Sequence, residues 1–377
     1  MIYLDNAATT FPKPRRVTRE IMRCMEMYAG NPGRGNHEIA RRAEEAIYEA
    51  RLTSSMLFRA KSPENVIFTK NATEALCLAI FGTIRKKCRV ITTDLEHNSV
   101  MRPLYRLSRE IGVKADIISA TAGDDELIYQ LEAKMGSDVG AVICTHASNI
   151  CPRTLPIEKI GMICKKRGVP FIVDAAQSAG SIDIDIEQSG ADIICMPGHK
   201  GLFGPTGTGM AIFCKDFDFS RFRPLLCGGT GIDSGMMAQG HTSPELFEAG
   251  TLAVPSIVGL REGMEFVMQL GIGAIRKHEE ELYELARERL LGMGAEIYGD
   301  TCRGSLMSFS IPGQSSSELA SLLGDRGICV RGGLHCAPMA HKALGTRGDA
   351  VRISFSPMNK KSDIDALCDA LSDICKS

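Results

Sequence analysis

The sequence predicts an α/β protein. Its large domain is built on a mostly parallel sheet flanked by helices, and a smaller α+β domain follows at the C-terminal end. Three observations point there. Between residues 66 and 213, short β-rich apolar runs alternate with segments whose apolar residues recur at helical spacing, the pattern of strands joined by crossover helices. Polar clusters at 71–73, 96–98, 148–149, 174–177 and 198–200 each follow a strand candidate directly, and open α/β sheets bind ligands beyond the carboxyl ends of their strands. Near Ala253 and Pro255 the alternation gives way to one long helical stretch and a second set of short strands.

Taken in order, residues 14–28 read as a helix able to pack on either domain. Strand 66–69 leads into helix 72–84, strand 90–93 into helix 99–111, and strand 114–119 into helix 124–135. Strand 139–145, helix 157–167 and strand 170–173 continue the series, and 193–196 and 209–213 add two further strands. Beyond 255, a helical stretch at 256–291 is interrupted at 271–273. Strands at 296–298 and 306–311, a helix at 316–325, a strand at 329–331, a strand around Arg352 and a terminal helix at 361–374 complete the chain. The division expected is an N-terminal segment 1–14, a large domain 15–252 and a small domain 253–377.

Of the 377 residues, 44% are hydrophobic and 24% charged, the balance of a globular protein with a substantial core. Lys and Arg (44) nearly cancel Asp and Glu (45), so no global field favours nucleic acid or an anionic membrane. No apolar run approaches the roughly 20 residues that span a bilayer, and Asp5 falls where a signal peptide would be basic or apolar; a cytoplasmic protein is expected. The 14 cysteines are scattered without a Cys-x-x-Cys pair, so no metal site is expected, and most read as small buried hydrophobes.

Six short segments carry residue types suited to chemistry. Gly198, His199 and Lys200 follow a strand and open a glycine-rich stretch; a lysine held in close surroundings there can form a Schiff base, although most lysines are solvated. An apolar strand delivers Asp174, with Gln177 a turn later. A carboxylate there can pair with a protonated pyridinium or merely cap a helix. Asn71, Ala72 and Thr73 form a strand-to-helix junction, which can seat a phosphate or simply be capped. Glu96, His97 and Asn98 follow another strand, so His97 could stack on a ring or move protons. Gly332 and Gly333 precede His335 and Cys336 near Arg331, a mobile setting where positive charge favours a nucleophilic thiol; sequence adjacency does not make His335 its base. Arg352 lies in an apolar strand, suited to a carboxylate or to a structural ion pair. Each feature is modest alone. Their conjunction on one α/β frame is hard to reach by chance.

These segments, with the N-terminal run from Tyr3 to Thr10 and the run from Phe247 to Thr251, resemble the class V aminotransferase group of fold type I, pyridoxal-phosphate-dependent enzymes. Within it they resemble the cysteine desulfurases and selenocysteine lyases, over nearly the whole chain. The resemblance implies that Lys200 holds pyridoxal 5'-phosphate and moves the Cα proton. Asp174 would pair with the ring nitrogen and Gln177 with the phenolic oxygen. His97 would stack on the ring and serve as acid and base. Thr73, Ala72 and His199 would receive the phosphate, joined by Thr251 from a second subunit of a homodimer. Asn149, Arg352 and Arg331 would hold the substrate carboxylate. Cys336 would take sulfur from L-cysteine as a persulfide, releasing L-alanine, and pass it to an acceptor protein or small thiol. The compact segment after Cys336 resembles the short-loop branch of the family.

Pro197 stands where desulfurases usually carry a hydroxyl residue, and Ile150, Cys151, Pro152 and Arg153 replace a glycine-containing turn. L-selenocysteine as substrate, or another class V reaction such as transamination, epimerisation or desulfination, stays open at this level. So does the pathway: iron–sulfur cluster assembly, thiolation or selenium metabolism. A non-catalytic binding protein on this fold would need a damaged cofactor site, and Lys200, Asp174 and His97 are all present.

Overall fold

The computed structural model describes residues 1–376 except 34, 232–234, 236, 238, 240 and 241. Its centre is a seven-stranded sheet. The spatial order is Val66–Thr69, Gly209–Phe213, Ile193–Pro197, Phe171–Asp174, Val139–Thr145, Arg89–Thr93 and Lys114–Ile118. The last five strands run parallel, and Gly209–Phe213 is antiparallel to both of its neighbours. The mostly parallel sheet expected from the alternating pattern is therefore present.

Both faces of this sheet are covered, and the period-2 rule decides which residue serves which face. Val142, Cys144, Phe171, Val173, Ile194 and Met196 enter one apolar cluster. Their neighbours Ala141, Ile143, Ile172, Ile193 and Cys195 enter the other. Arg15–Met27, Glu38–Phe58 and Val254–Leu270 are helices contributing to the first cluster, through residues such as Cys24, Ala43, Ala50 and Val258. Helices Ala72–Thr83 and Asn98–Glu110 cover the opposite face through Leu76, Ile80, Val100 and Leu104.

A third cluster holds the C-terminal elements together: Leu282, Tyr283, Met307, Phe309, Leu323, Ile353 and Leu367, joined by Leu4 from the N-terminus. Its sheet has the order Arg331–Gly332, Val351–Ser354, Leu306–Ser310, Glu296–Tyr298, with every pairing antiparallel. Ile2–Tyr3 pairs in parallel with Ile328–Cys329. The chain after Tyr3 then runs from this third cluster toward the carboxyl ends of the large sheet, where Thr10 N–H meets the His199 carbonyl at 3.0 Å. Helix Val254–Leu270 packs with the large sheet, and the following helix, Ile272–Gly292, begins there with Ile275 and enters the third cluster at Leu282. No helix of the described residues is long and apolar enough to cross a membrane.

Candidate active site

A cleft open to solvent lies beyond the carboxyl ends of the parallel strands, where open α/β sheets bind their ligands. Ala72, Thr73, His97, Asn149, Asp174, Gln177, His199, Lys200, Arg331, Cys336 and Arg352 all line it. Of the site residues expected from sequence, Thr251 alone stands apart: it is exposed and outside the cleft.

The floor is polar. Asp174 ends its strand fully buried, and among the described residues its carboxylate has one hydrogen-bond donor, Ala176 N–H at 2.9 Å. Burial raises its pKa. Lys200 is pushed down to about 8 by desolvation, with the Arg352 and Arg331 charges acting the same way and Asp174 opposing. Loss of the ammonium's hydration is what turns a lysine into a nucleophile at neutral pH. Gly180 and Gly201 let the Asp174 turn meet the Lys200 turn. Gly180 sits at φ +91, and a Cβ on it would lie 2.2 Å from the Gly201 carbonyl oxygen. The Lys200 turn is held from outside by the N-terminal segment. Thr9 Oγ1 (3.0 Å) and Lys13 Nζ (2.8 Å) both donate to the His199 carbonyl.

On one side, Asn71 caps helix Ala72–Thr83 by accepting from Glu74 N–H at 2.9 Å. The capping reading of Asn71 is therefore correct, and the helix still presents its N-terminal positions Ala72 and Thr73 to the cleft. Thr73 Oγ1 shares a 2.8 Å hydrogen bond with Ser99 Oγ. Ser99 N–H donates to His97 Nδ1 at 3.1 Å, so the neutral imidazole carries its proton on Nε2. Burial and the nearby Lys200 charge lower His97 to about 4. His199 is likewise lowered to about 4, and its Nδ1 is buried without a partner among the described residues. Beneath the site, Glu96 accepts from Thr93 Oγ1 (2.6 Å) and Thr145 N–H (2.9 Å), and burial raises it to about 8.

The opposite side holds the cations. Arg352 is fully buried; its Nη2 donates to Asp5 Oδ1 at 2.9 Å and its Nη1 to the Asn149 carbonyl at 3.1 Å, and its Nε is buried without a partner. Arg331 has no carboxylate within salt-bridge distance among the described residues. The Asn149 amide donates to the His335 carbonyl at 2.8 Å, so Asn149 reaches the cysteine segment as well as Arg352. Cys336 is exposed and borders both the cleft and a shallow groove lined by Cys77, Phe81, Arg102 and Arg106. Its backbone is left-handed at φ 58, following His335 at φ 49, a conformation costing about 1–2 kcal/mol per non-glycine residue. Three partners hold it there: Asn98 N–H on the Cys336 carbonyl (2.9 Å), Asn149 on the His335 carbonyl, and the His335 ring on the Arg331 carbonyl (3.0 Å). Both His335 nitrogens are engaged away from Cys336, so His335 is not its base.

Sequence reasoning missed Asp5, the ionic partner of Arg352, and Ser99, which sets the His97 tautomer. It also missed Ala7, Ala8, Thr145 and Ala176 on the cleft wall. Asp5, Ala7 and Ala8 had a signal in the N-terminal run from Tyr3 to Thr10, and Ala176 had one in the segment from Asp174 to Gln177.

The cleft is one of a known kind. Residues 2–367 match the model of the aminotransferase class-V family. The chain belongs to that family. Its relatives include a protein of Methanothermobacter thermautotrophicus named probable cysteine desulfurase, 34% identical over 99% of this chain and 94% of its own length. A Pyrococcus abyssi protein of the same name is 34% identical over 100% of this chain and 95% of its own. Among solved structures, the apo cysteine desulfurase of Thermococcus onnurineus superposes with a TM-score of 0.92 at 31% identity, covering 100% of this chain and 94% of the other. Class V aminotransferases and cysteine desulfurases are pyridoxal-phosphate-dependent enzymes of fold type I, which bears out the resemblance read from the sequence.

Proposed function

We propose that this class V enzyme is a cysteine desulfurase acting from the cytoplasm as a homodimer. It would carry sulfur from L-cysteine to Cys336 with release of L-alanine. The observation that carries the reading is that Cys336 opens onto the same cleft as Lys200. An amine for the cofactor and a thiol for the sulfur face one substrate volume.

The residues present fit pyridoxal phosphate. A buried carboxylate with a single donor, Asp174, awaits a cationic partner, and a protonated ring nitrogen supplies one. Lys200 would hold the aldehyde carbon, Gln177 the phenolic oxygen and His97 the ring face. The orphaned His199 Nδ1, the Thr73 hydroxyl and the N-terminal N–H groups of helix Ala72–Thr83 suit a phosphate. Gln177 spends one amide proton on the Ala7 carbonyl at 3.1 Å and keeps the second. Thr251 would complete the phosphate seat only from a second copy, since it is outside its own chain's cleft. When bound, the cofactor supplies an electron sink for charge developing at the substrate Cα.

The protein's own part is orientation and proton handling. The substrate carboxylate would meet Arg331 and the free Nε of Arg352, a charge-assisted pairing. Lys200, with its ammonium destabilised, would accept and return the Cα proton at Nζ. His97 would donate a hydrogen bond from its Nε2–H to the substrate. In the net reaction the substrate C–S bond breaks, an S–S bond forms at Cys336 Sγ, and the thiol proton is taken up in the alanine product. The groove beyond Cys336 gives an acceptor thiol a route to the persulfide.

The test is alanine formation from L-cysteine by cofactor-loaded protein with an added thiol acceptor. Turnover above a Cys336→Ala background is expected, with the variant keeping its cofactor absorbance. Equal turnover in Cys336→Ala would defeat the persulfide route. No alanine from a loaded wild-type protein would shift the assignment to L-selenocysteine or another class V reaction.

A further inference from the structure

The Cys336 turn is tethered by a chain of hydrogen bonds whose direction can be deduced atom by atom. Arg331 O can only accept, so His335 Nε2, 3.0 Å away, carries a proton. His335 Nδ1 faces His341 Nε2 at 3.2 Å, and that contact needs one proton. Were it on His335, the ring would be an imidazolium. The ring is buried near two guanidiniums, and burial with the Arg352 charge holds it down to about 3. The proton is therefore on His341 Nε2. His341, also lowered by burial with the Leu334 backbone opposing and the Arg352 charge assisting, is then bare at Nδ1 and accepts from the Thr346 hydroxyl at 2.5 Å. A rival acceptor for that hydroxyl, the His341 carbonyl, is farther at 3.4 Å. Thr346 Oγ1 in turn accepts from Gly348 N–H at 3.2 Å. His335, His341 and Thr346 are all buried.

We infer that His341 and Thr346 are positioning residues for Cys336: they fix the proton of His335 on Nε2, and so hold the two left-handed residues that aim the thiol at the cleft. The inference rests on Cys336 being the sulfur-accepting thiol. The physical step is a lost donor. Without the Thr346 hydroxyl, His341 Nδ1 is a buried acceptor with no side-chain donor, and the ring is no longer anchored from behind. His341 then shifts toward another donor, and the hydrogen bond from its Nε2 to His335 Nδ1 weakens. The His335 ring moves out, one of three tethers is lost, and His335 and Cys336 relax from positive φ. Neither His341 nor Thr346 lines the cleft, so their effect reaches substrate only through the turn.

The experiment compares Thr346→Val, which keeps the shape and loses the hydroxyl, with Thr346→Ser, which keeps the hydroxyl, in the cofactor-loaded enzyme. Two readouts are taken: kcat and KM for L-cysteine, and hydrogen exchange of the peptide spanning 331–343 by mass spectrometry. Thr346→Val should lower kcat by about 10-fold, the rate equivalent of one hydrogen bond. KM and cofactor absorbance should be unchanged, and exchange of that peptide alone should quicken by a similar factor. Thr346→Ser should restore both to within about twofold. If Thr346→Val does not fold, Thr346→Ala serves: it too removes the hydroxyl, and exchange of the same peptide should quicken, wild-type exchange again overturning the inference. Wild-type kcat and exchange in Thr346→Val would overturn the inference, as would failure of Thr346→Ser to rescue. Should wild-type protein make no alanine, the proposed function fails while the exchange comparison still decides whether the relay holds the turn.

Discussion

Arg352 shows how much one side chain is asked to do. Its guanidinium is fully buried, and a buried cation needs a paired anion and satisfied donors. Asp5 gives the anion and the Asn149 carbonyl a second acceptor, which leaves Nε for a ligand carboxylate. A single ammonium cannot reproduce that spread of three donors. Arg352→Lys should therefore retain the cofactor spectrum and lower kcat/KM for L-cysteine by about 10–100-fold, mainly through KM, the range expected for one or two charged hydrogen bonds. A kcat/KM within twofold of wild type would show that Arg352 only supports Asp5 and Asn149. Arg352 and Asn149 were legible in sequence as site residues, but Asp5 and the pairings were not. Asp5 and Arg352 are 347 positions apart, and no local pattern encodes such a contact. His335 and Cys336 teach the converse: adjacent in sequence, they point to different partners, because left-handed backbone at both residues turns the ring toward Arg331 O.

At the scale of elements, the strands and helices that frame the cleft were legible because their apolar residues are large and periodic. Val66–Thr69, Val139–Thr145, Ile157–Arg167 and Gly209–Phe213 match their expected bounds. Helix Glu38–Phe58 went unpredicted since its buried stripe begins with Ala40, Ala43, Ala46 and Ala50, small residues that barely register as an apolar face. The single strand expected at 329–331 is two: Ile328–Cys329 pairs with the N-terminus and Arg331–Gly332 with Val351 and Arg352. One run of sequence thus serves two sheets, which only tertiary pairing decides. Another tertiary demand is the close approach of two turns at Gly180 and Gly201, where the Lys200 loop rests on the Asp174 loop. Gly180→Ala would place a methyl 2.2 Å from a carbonyl oxygen at a positive φ. We expect a loss of about 2–4 kcal/mol, seen as a lower thermal midpoint, together with weaker cofactor retention. A midpoint within a degree of wild type would mean that the two turns are not rigidly apposed.

At the scale of the whole molecule, one helix joins the two halves. Ile272–Gly292 starts among the residues packed on the large sheet and ends in the C-terminal cluster, and Glu279 lies between Ile275 and Leu282 at the crossing. Its carboxyl is buried, its Oε2 has no partner among the described residues, and it borders a small cavity lined from both sides by Gln177, Ser181, Arg276, Gly304 and Ser305. Desolvation raises it to about 8, with Ser181 and Arg276 opposing and Glu280 assisting. The folded protein therefore holds a proton there that the unfolded chain releases near 4.5. An acid whose folded pKa is raised stabilises fully below its unfolded value, and that contribution is lost as pH climbs through the folded value. Glu96, also raised to about 8, has the same sign. Buried histidines such as His97 act below their ordinary range, and Lys13 and Lys200, both lowered to about 8, act in the opposite sense above it. A difference between proteins isolates Glu279 from all of these. Glu279→Gln keeps the shape and cannot ionise, so between about pH 6 and about pH 9 its thermal midpoint should fall less steeply than wild type, by a few degrees at roughly 1–1.5 °C per kcal/mol. Parallel pH profiles for the two proteins would mean that solvent already reaches the carboxyl, and that the seam between the halves is wetter than its burial implies.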